Sequence, residues 1–482
     1  MRNIYGTMIA IIALISLPLS SCQKDDERET TSSENKSGIN QWIETTMRTN
    51  YLWNTEIPVA GRLNYAAEPT AFFRSLLTLK DGKARNGSHH YYSYIEKNKD
   101  YVATRTSIDR DDTYGMEFTV FNIVDENNQA LGYYWARVLY VLPNSPAQLA
   151  NLQRGDWLVG FDGKGDNLIQ YTKLLKGGGL NLTVAANPRD KNNYRQTSLT
   201  ASREVVDNPI YIDKIIETGG KKIGYLLYNH FTTGPGTYTD RTYDEEMKSK
   251  FKHFADQGVN EFVLDLRYNG GGYLMSANVL AGLLVPEKNK DDIFSIDVDN
   301  KGRKSIRYFS SEAITTHLNL SRLYVLTSSS TASASEAVIN GLSPFLNVIL
   351  VGETTEGKNV GSVHYAKDEY EWALQPIIMR ITSSDTSYDY SSGLPANYPC
   401  DEFDLRQNVT DQLLPLGDER EFMLSKAIEL ITGNRSATRA TVSQQSVQDQ
   451  RQLNVVYKSI ERNQTNGVLI TPDYSRDTFW NQ

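Results

Sequence analysis

The sequence predicts a multidomain chain whose largest unit is an α/β domain over residues 208–432. A β-rich domain over 110–204 and a small helical region over 39–105 precede it. Three observations predict this. Between Ile210 and Thr432, strand-like runs ("KKIGYLLYN", "NEFVLDLR", "SRLYVLTS", "NVILVGE") alternate with helix-like ones ("YLMSANVLAGLLV", "ASEAVINGLSPF"), and such alternation builds parallel βαβ units. Between about Arg110 and Arg203 the runs are all strand-like: "YGMEFTVFNIV", "YYWARVLYVL", "WLVGFDG", "LNLTVAA". From Ile39 onward, Ile39, Trp42, Ile43 and Met47 recur at helical spacing, and "PTAFFRSLLTL" repeats the theme.

The α/β unit closes with "DEREFMLSKAIELITG", a helix with Leu424, Ala427, Ile428 and Ile431 on one face and Gly433 as its stop. Residues 433–482 read as a polar C-terminal extension, Ser/Thr/Gln-rich and mobile over "NRSATRATVSQQSVQDQRQ". No internal repeat is present. At 482 residues, 39% hydrophobic and 22% charged, the chain has the composition of a globular protein with room for two or three domains. A net charge of −8 with no basic run argues against nucleic acid as a partner. Two cysteines, Cys22 and Cys400, cannot make a disulfide framework.

Residues 1–21 read as a processing signal, with Arg2 ahead of the apolar "MIAIIALISLPL", which is too short for a membrane span. It ends in Leu19-Ser20-Ser21-Cys22, which resembles a bacterial lipobox. That resemblance implies an acylated Cys22 as mature N-terminus and a membrane tether without a spanning helix. It places the protein in the cell envelope, at the outer membrane. The following "QKDDE" resembles an acidic signal that carries some lipoproteins to the cell surface. Residues 22–38 are polar without an apolar period and read as a flexible tether.

Three loops in the α/β domain carry candidate chemistry, each at the end of a predicted strand, where α/β folds gather their sites. The first is Asp265-Leu266-Arg267-Tyr268-Asn269-Gly270-Gly271-Gly272. Its glycines permit unusual dihedrals, so backbone N–H groups can face an anion or a developing oxyanion. The second, Ser330-Thr331-Ala332-Ser333-Ala334-Ser335-Glu336, places hydroxyls at a helix entrance, where they cap the helix or act as nucleophiles. Local physics does not choose between Ser333 and Ser335. The third, from Gly352 to Ser362, contains Lys358. A lysine works as a general base only when burial lowers its pKa by about three units from about 10.4, on the order of 4 kcal/mol. The six histidines (His89, His90, His230, His253, His317, His364) show no metal-ligand spacing, and no metal or organic cofactor is expected. Gly-x-Ser-x-Gly is absent.

In order, "VLDLRYNGGG", "STASASEAV" and "VGETTEGK" resemble the C-terminal processing (tail-specific) peptidases, a bacterial serine endopeptidase family with a Ser–Lys dyad. The resemblance covers roughly residues 110–432. It implies a ClpP/crotonase-like βαβ core, Ser333 as nucleophile and Lys358 as general base. Gly270 or Gly271 would form the oxyanion hole with Ala334, supported by Glu336 and Thr355. Four residues after the lysine this family often has a glutamine; here the position is Ser362. Upstream, "NSPAQLANLQRGDWLVGFDGK" looks like the core of a PDZ domain. In such a domain Tyr114-Gly115-Met116-Glu117-Phe118 would receive a peptide's C-terminal carboxylate by strand addition. The implied partners are proteins or peptides with accessible C-termini. A peptide- or ligand-binding lipoprotein on the same fold, with catalysis weakened or lost, is the alternative, and Ser362 is its main support.

Overall fold

The computed structural model describes residues 26–85, 88–97, 112–125, 129–163, 170–188, 190–236, 239–309, 316–367, 369–385, 387–404, 413–433, 452–461 and 468–469. Residues 1–25, with the processing signal and Cys22, lie outside the described residues.

The first helix spans Asp26–Asn50, so most of the stretch expected to be a flexible tether is helical. An apolar period reports which face of a helix is buried, so its absence before Ile39 does not exclude a helix there. Ile39, Ile43 and Met47 are buried with Phe72 and Phe73 of the helix Pro69–Ser75, and with Trp372 and Leu374 of the α/β domain. The expected helical region is only half helical. After Ser75 the chain forms the hairpin Lys83–Arg85/Ser88–His90, and Tyr94–Lys97 pairs antiparallel with Trp372–Gln375. The Tyr-rich run "YYSYIEK" suits a pleated surface better than a helix. This region is thus stitched to the α/β domain by a shared sheet as well as a shared core.

The β-rich domain is an antiparallel six-stranded sheet ordered Gln452–Lys458, Met116–Val124, Ala130–Val141, Trp157–Phe161, Leu180–Ala185, Arg195–Leu199. Its first strand comes from the segment expected to be a polar extension, which corrects that expectation for residues 452–461. The apolar content of "QLNVVYKSI" is confined to a few residues after a long polar run, too short to register as a period. Residues 434–451 lie outside the described residues.

In the α/β domain, strand–helix alternation folds as expected. The sheet order is Ile210–Thr218, Lys221–Tyr228, Glu261–Asp265, Arg322–Thr327, Asn347–Gly352, Tyr398–Pro399, with the first pair antiparallel and the remainder parallel. Every residue of Glu261–Asp265 is buried, as a central parallel strand covered on both faces requires. One face carries the helices Thr242–Asp256, Leu274–Leu284 and Ala334–Leu342. The other carries Phe422–Thr432, which ends at Gly433 in the left-handed region with φ 70°. A second, five-stranded sheet (Lys304–Tyr308, Ile293–Asp299, Ile377–Thr382, Val360–Ser362, Val468–Leu469) packs Met379 and Ile381 onto the first face.

Where the β-rich domain meets the α/β domain, a buried ionic network lies beside an apolar cluster in which Leu139, Tyr140 and Leu142 pack with Tyr268. Arg267, fully buried, donates to Asp265 (2.9 Å), to Glu421 (2.7 and 2.9 Å) and to Glu402 (3.2 Å). Arg154 reaches in from the β-rich domain to Glu402 (2.7 Å), the Tyr268 hydroxyl (2.6 Å) and the Leu414 carbonyl (2.8 Å). Burial pushes the Glu421 carboxyl up, but Arg267 and Arg154 beside it outweigh that and hold it below its ordinary value. Removing one partner of such a network leaves uncompensated buried charge. Arg267→Met is therefore expected to lower unfolding free energy by about 3–5 kcal/mol, read as a lower urea midpoint.

Candidate active site

The strand Arg322–Thr327 ends in a loop that enters the helix Ala334–Leu342 through Ser333. Ser333 has φ 58° and ψ −113°, a positive φ that a residue with a Cβ adopts at a cost of about 1–3 kcal/mol. The glycine loop holds it there. A Cβ on Gly271 (φ 109°) would lie 2.7 Å from the Ser333 Cβ, and one on Gly272 (φ 135°) 2.1 Å from the Phe231 carbonyl oxygen. Only glycines let this backbone press so closely on the serine and on Phe231.

Asn269 fastens the two loops together. Its Nδ2 donates to the Tyr228 carbonyl (2.8 Å) and its Oδ1 accepts the Gly271 N–H (2.9 Å). Its carbonyl accepts the Ala332 N–H (3.2 Å) and the Ser335 hydroxyl (3.0 Å). That last bond separates two serines that local sequence left equivalent. Ser335 spends its hydroxyl on the fold, whereas the Ser333 Oγ is buried without a hydrogen-bond partner among the described residues. A buried hydroxyl left unpaired is destabilising, and in native structures it calls for an explanation. Asn269 also sorts the expected oxyanion donors. Gly271 has given its N–H to Asn269, while the N–H groups of Gly270 and Ala334 meet no acceptor among the described residues.

Glu336 joins the serine to the lysine. This carboxylate is fully buried; Oε2 accepts the N–H of Ser333 (2.9 Å) and of Lys358 (2.8 Å). Its Oε1 accepts the Thr355 hydroxyl (2.5 Å) and the Gly357 N–H (2.6 Å). Burial pushes its pKa up to about 7, against the pull of these four donors. Thr355 in turn accepts the Leu394 N–H (2.8 Å), and Glu356 N–H donates to the Thr331 carbonyl (2.9 Å). Lys358 itself is buried, its Nζ 4.9 Å from the centroid of the Tyr92 ring.

Tyr92 comes from the N-terminal region, where its hydroxyl donates to Glu356 (2.8 Å). Ser362 is buried and accepts from the Gln375 Nε2 (3.0 Å), whose Oε1 accepts the Tyr94 hydroxyl (2.6 Å). Both polar ends of the Gln375 amide are thus engaged, one by Ser362 and one by Tyr94. Sequence reading missed Tyr92 and Gln375, because neither lies in a motif and only the fold brings them here. A cleft of about 450 Å³ lies beside them, lined in part by His89, Tyr92, Tyr94, Glu356 and Glu461.

Tyr114 to Phe118 lie at the start of the strand Met116–Val124 and are buried. A Cβ on Gly115 would meet the Ser145 Cβ at 2.1 Å, so the loop is tightly seated. Phe118 N–H donates to the Ser459 Oγ (2.7 Å), and that hydroxyl donates to the Glu117 carboxylate. The expected carboxylate-receiving loop is therefore occupied by the chain's own residue.

The model of peptidase family S41 matches residues 222–390, the span of all three loops. The model of the S41 N-terminal domain matches residues 38–94. A crystal structure from Bacteroides fragilis, described as a candidate S41 protease, is 30% identical; the match covers 81% of this chain and 97% of that one, with a TM-score of 0.68. The chain belongs to peptidase family S41. In sequence it is similar to a carboxyl-terminal-processing protease of a Picosynechococcus species, 30% identical over 229 residues (46% of this chain, 50% of that protein). It is also similar to the chloroplastic carboxyl-terminal-processing peptidase 1 of Arabidopsis thaliana, 27% identical over 238 residues (48% and 46%). The chain spans about half the length of these curated relatives. Within the S41 chain, Tyr92 and Tyr94 belong to the N-terminal domain match, so that domain supplies a wall to the site.

The Glu336 carboxyl makes a pH prediction. The native state keeps this proton up to about pH 7, while an unfolded glutamate releases it near 4.5. Its contribution to stability is full below 4.5 and is lost as pH rises through about 7, a change on the order of 3 kcal/mol. In Glu336→Gln that slope is expected to vanish, measured by urea unfolding between about pH 4 and about pH 8.

Proposed function

We propose that this S41 chain is a serine endopeptidase of the C-terminal processing type, with Ser333 as nucleophile and Lys358 as general base. The observation that carries the reading is the Ser333 hydroxyl, buried and unpartnered at a positive φ, on a backbone that Glu336 ties to Lys358. Neutral Lys358 takes the Ser333 proton as Oγ attacks the peptide carbonyl. The N–H groups of Gly270 and Ala334 hold the oxyanion, aided by the positive end of the helix Ala334–Leu342. The protonated lysine then gives its proton to the leaving amine, and water hydrolyses the acyl-enzyme.

The β-rich domain acts as a PDZ-like module that takes substrate chains by strand addition along Met116–Val124. Acylation at Cys22 tethers the enzyme to the outer membrane, and its substrates are envelope proteins or peptides with reachable C-terminal tails. The departure at Ser362 favours the alternative, a peptide- or ligand-binding protein on the same fold with catalysis weakened or lost; here the Ser362 hydroxyl is engaged by the Gln375 amide.

The test is cleavage of an unfolded model protein by a form lacking residues 1–25. Ser333→Ala and Lys358→Ala are each expected to lower kcat by a factor on the order of 10⁴ or more with unchanged thermal unfolding. Ser333→Ala cleaving at the parent rate would overturn the assignment.

A further inference from the structure

The strand Gln452–Lys458 runs antiparallel along Met116–Val124, with Lys458 opposite Thr119 and Gln452 opposite Val124. Without it, Met116–Val124 is the edge of its sheet, a row of unpaired N–H and C=O groups. That edge is where the proposed function seats a substrate chain, so the inference rests on that reading. The pairing is side-chain-specific. Tyr457 sits between Phe118 and Tyr171, ring centroids 6.0 and 6.2 Å away. Leu453 and Val455 pack on the opposite face with Phe121 and Ile123.

The next residue settles what kind of chain the groove takes. The Ser459 hydroxyl accepts the Phe118 N–H at 2.7 Å and donates to Glu117. A terminal carboxylate in that place would face the Glu117 carboxylate within hydrogen-bonding distance, a like-charge juxtaposition that disfavours it strongly. A hydroxyl both donates and accepts, which satisfies both neighbours. Beyond the groove the segment reaches both catalytic loops. Lys458 Nζ donates to the Ser329 Oγ (2.8 Å), four residues before Ser333. Glu461 lines the cleft beside Tyr92 and Glu356, and Val468–Leu469 pairs parallel with Gly361–Ser362, just after Lys358.

We propose that residues 452–461 are an intramolecular peptide ligand of this groove, which competes with substrate chains and displays the groove's preference. The preferred occupant is an internal strand with apolar residues on both faces, an aromatic residue and then a hydroxyl, rather than a free C-terminal carboxylate. A tethered segment has an effective concentration on the order of millimolar, so a free peptide of micromolar affinity is outcompeted by about 10²–10³-fold.

The experiment uses the full chain and its Tyr457→Ala and Val455→Asp variants. The probe is a fluorescently labelled synthetic peptide spanning Gln452–Glu461, followed by polarisation. Each variant is expected to bind the probe at least about tenfold more tightly than the parent, and amidation of the probe's C-terminus is expected to leave binding unchanged. Folded variants that bind no better than the parent overturn the proposal. If the variants do not fold, hydrogen exchange on the parent decides. Amides of 452–458 that open well below the global unfolding free energy support a displaceable ligand; amides that exchange only by global unfolding make the segment a permanent strand and overturn it. Binding is read without turnover, so an inactive enzyme would sink the proposed function and leave this inference standing.

Discussion

The site depends on one carboxylate. Glu336 accepts four hydrogen bonds, two from the backbone around the serine and lysine and two from Thr355 and Gly357. A carboxylate is the side chain that can do this, with two oxygens and about four lone-pair sites and no proton of its own when ionised. It sits in the first turn of its helix, where the dipole favours negative charge, yet burial opposes ionisation strongly enough to bring its pKa to about 7. Two loops that follow different strands are thereby locked at one spacing. An apolar residue in that place would leave at least three N–H groups without acceptors in a dry interior.

Asn269 works on the other side of the serine in the same manner. Its carbonyl ties the glycine loop to the serine loop, while its side chain braces the glycine loop itself against Tyr228. Between Glu336 and Asn269 the backbone of Ser333 has little freedom, which is how a positive φ persists there. The strain stays in the backbone, and the Ser333 hydroxyl is held without a hydrogen-bond partner among the described residues.

Much of this was legible in the chain of residues, and the reasons for the rest are physical. The three loops announce themselves because tight turns need glycine and helix entrances favour small hydroxyl residues. The order of strands and helices in the α/β domain follows from periodicity alone. Choosing Ser333 over Ser335 by local physics was impossible, since the deciding acceptor is the Asn269 carbonyl on another loop. Tyr92 and Gln375 approach the lysine loop from distant segments, and no local signal marks either. The strand Gln452–Lys458 was hidden for a different reason. Its apolar residues form no face of their own and gain meaning only against Met116–Val124. Helix Asp26–Asn50 shows the converse error, where lack of an apolar period was read as lack of structure.

Arg154 belongs to the β-rich domain by sequence, but its guanidinium lies among Glu402, Glu421 and Tyr268 of the α/β domain. The two domains therefore have a boundary in the chain and none in the electrostatics. An α/β domain made alone would leave Glu402 and Glu421 with half of their positive counter-charge gone. It would be less stable as an isolated module for that reason, however complete its hydrophobic core. By the same logic, a β-rich domain of another kind would balance this corner if it brought an arginine to the place Arg154 holds.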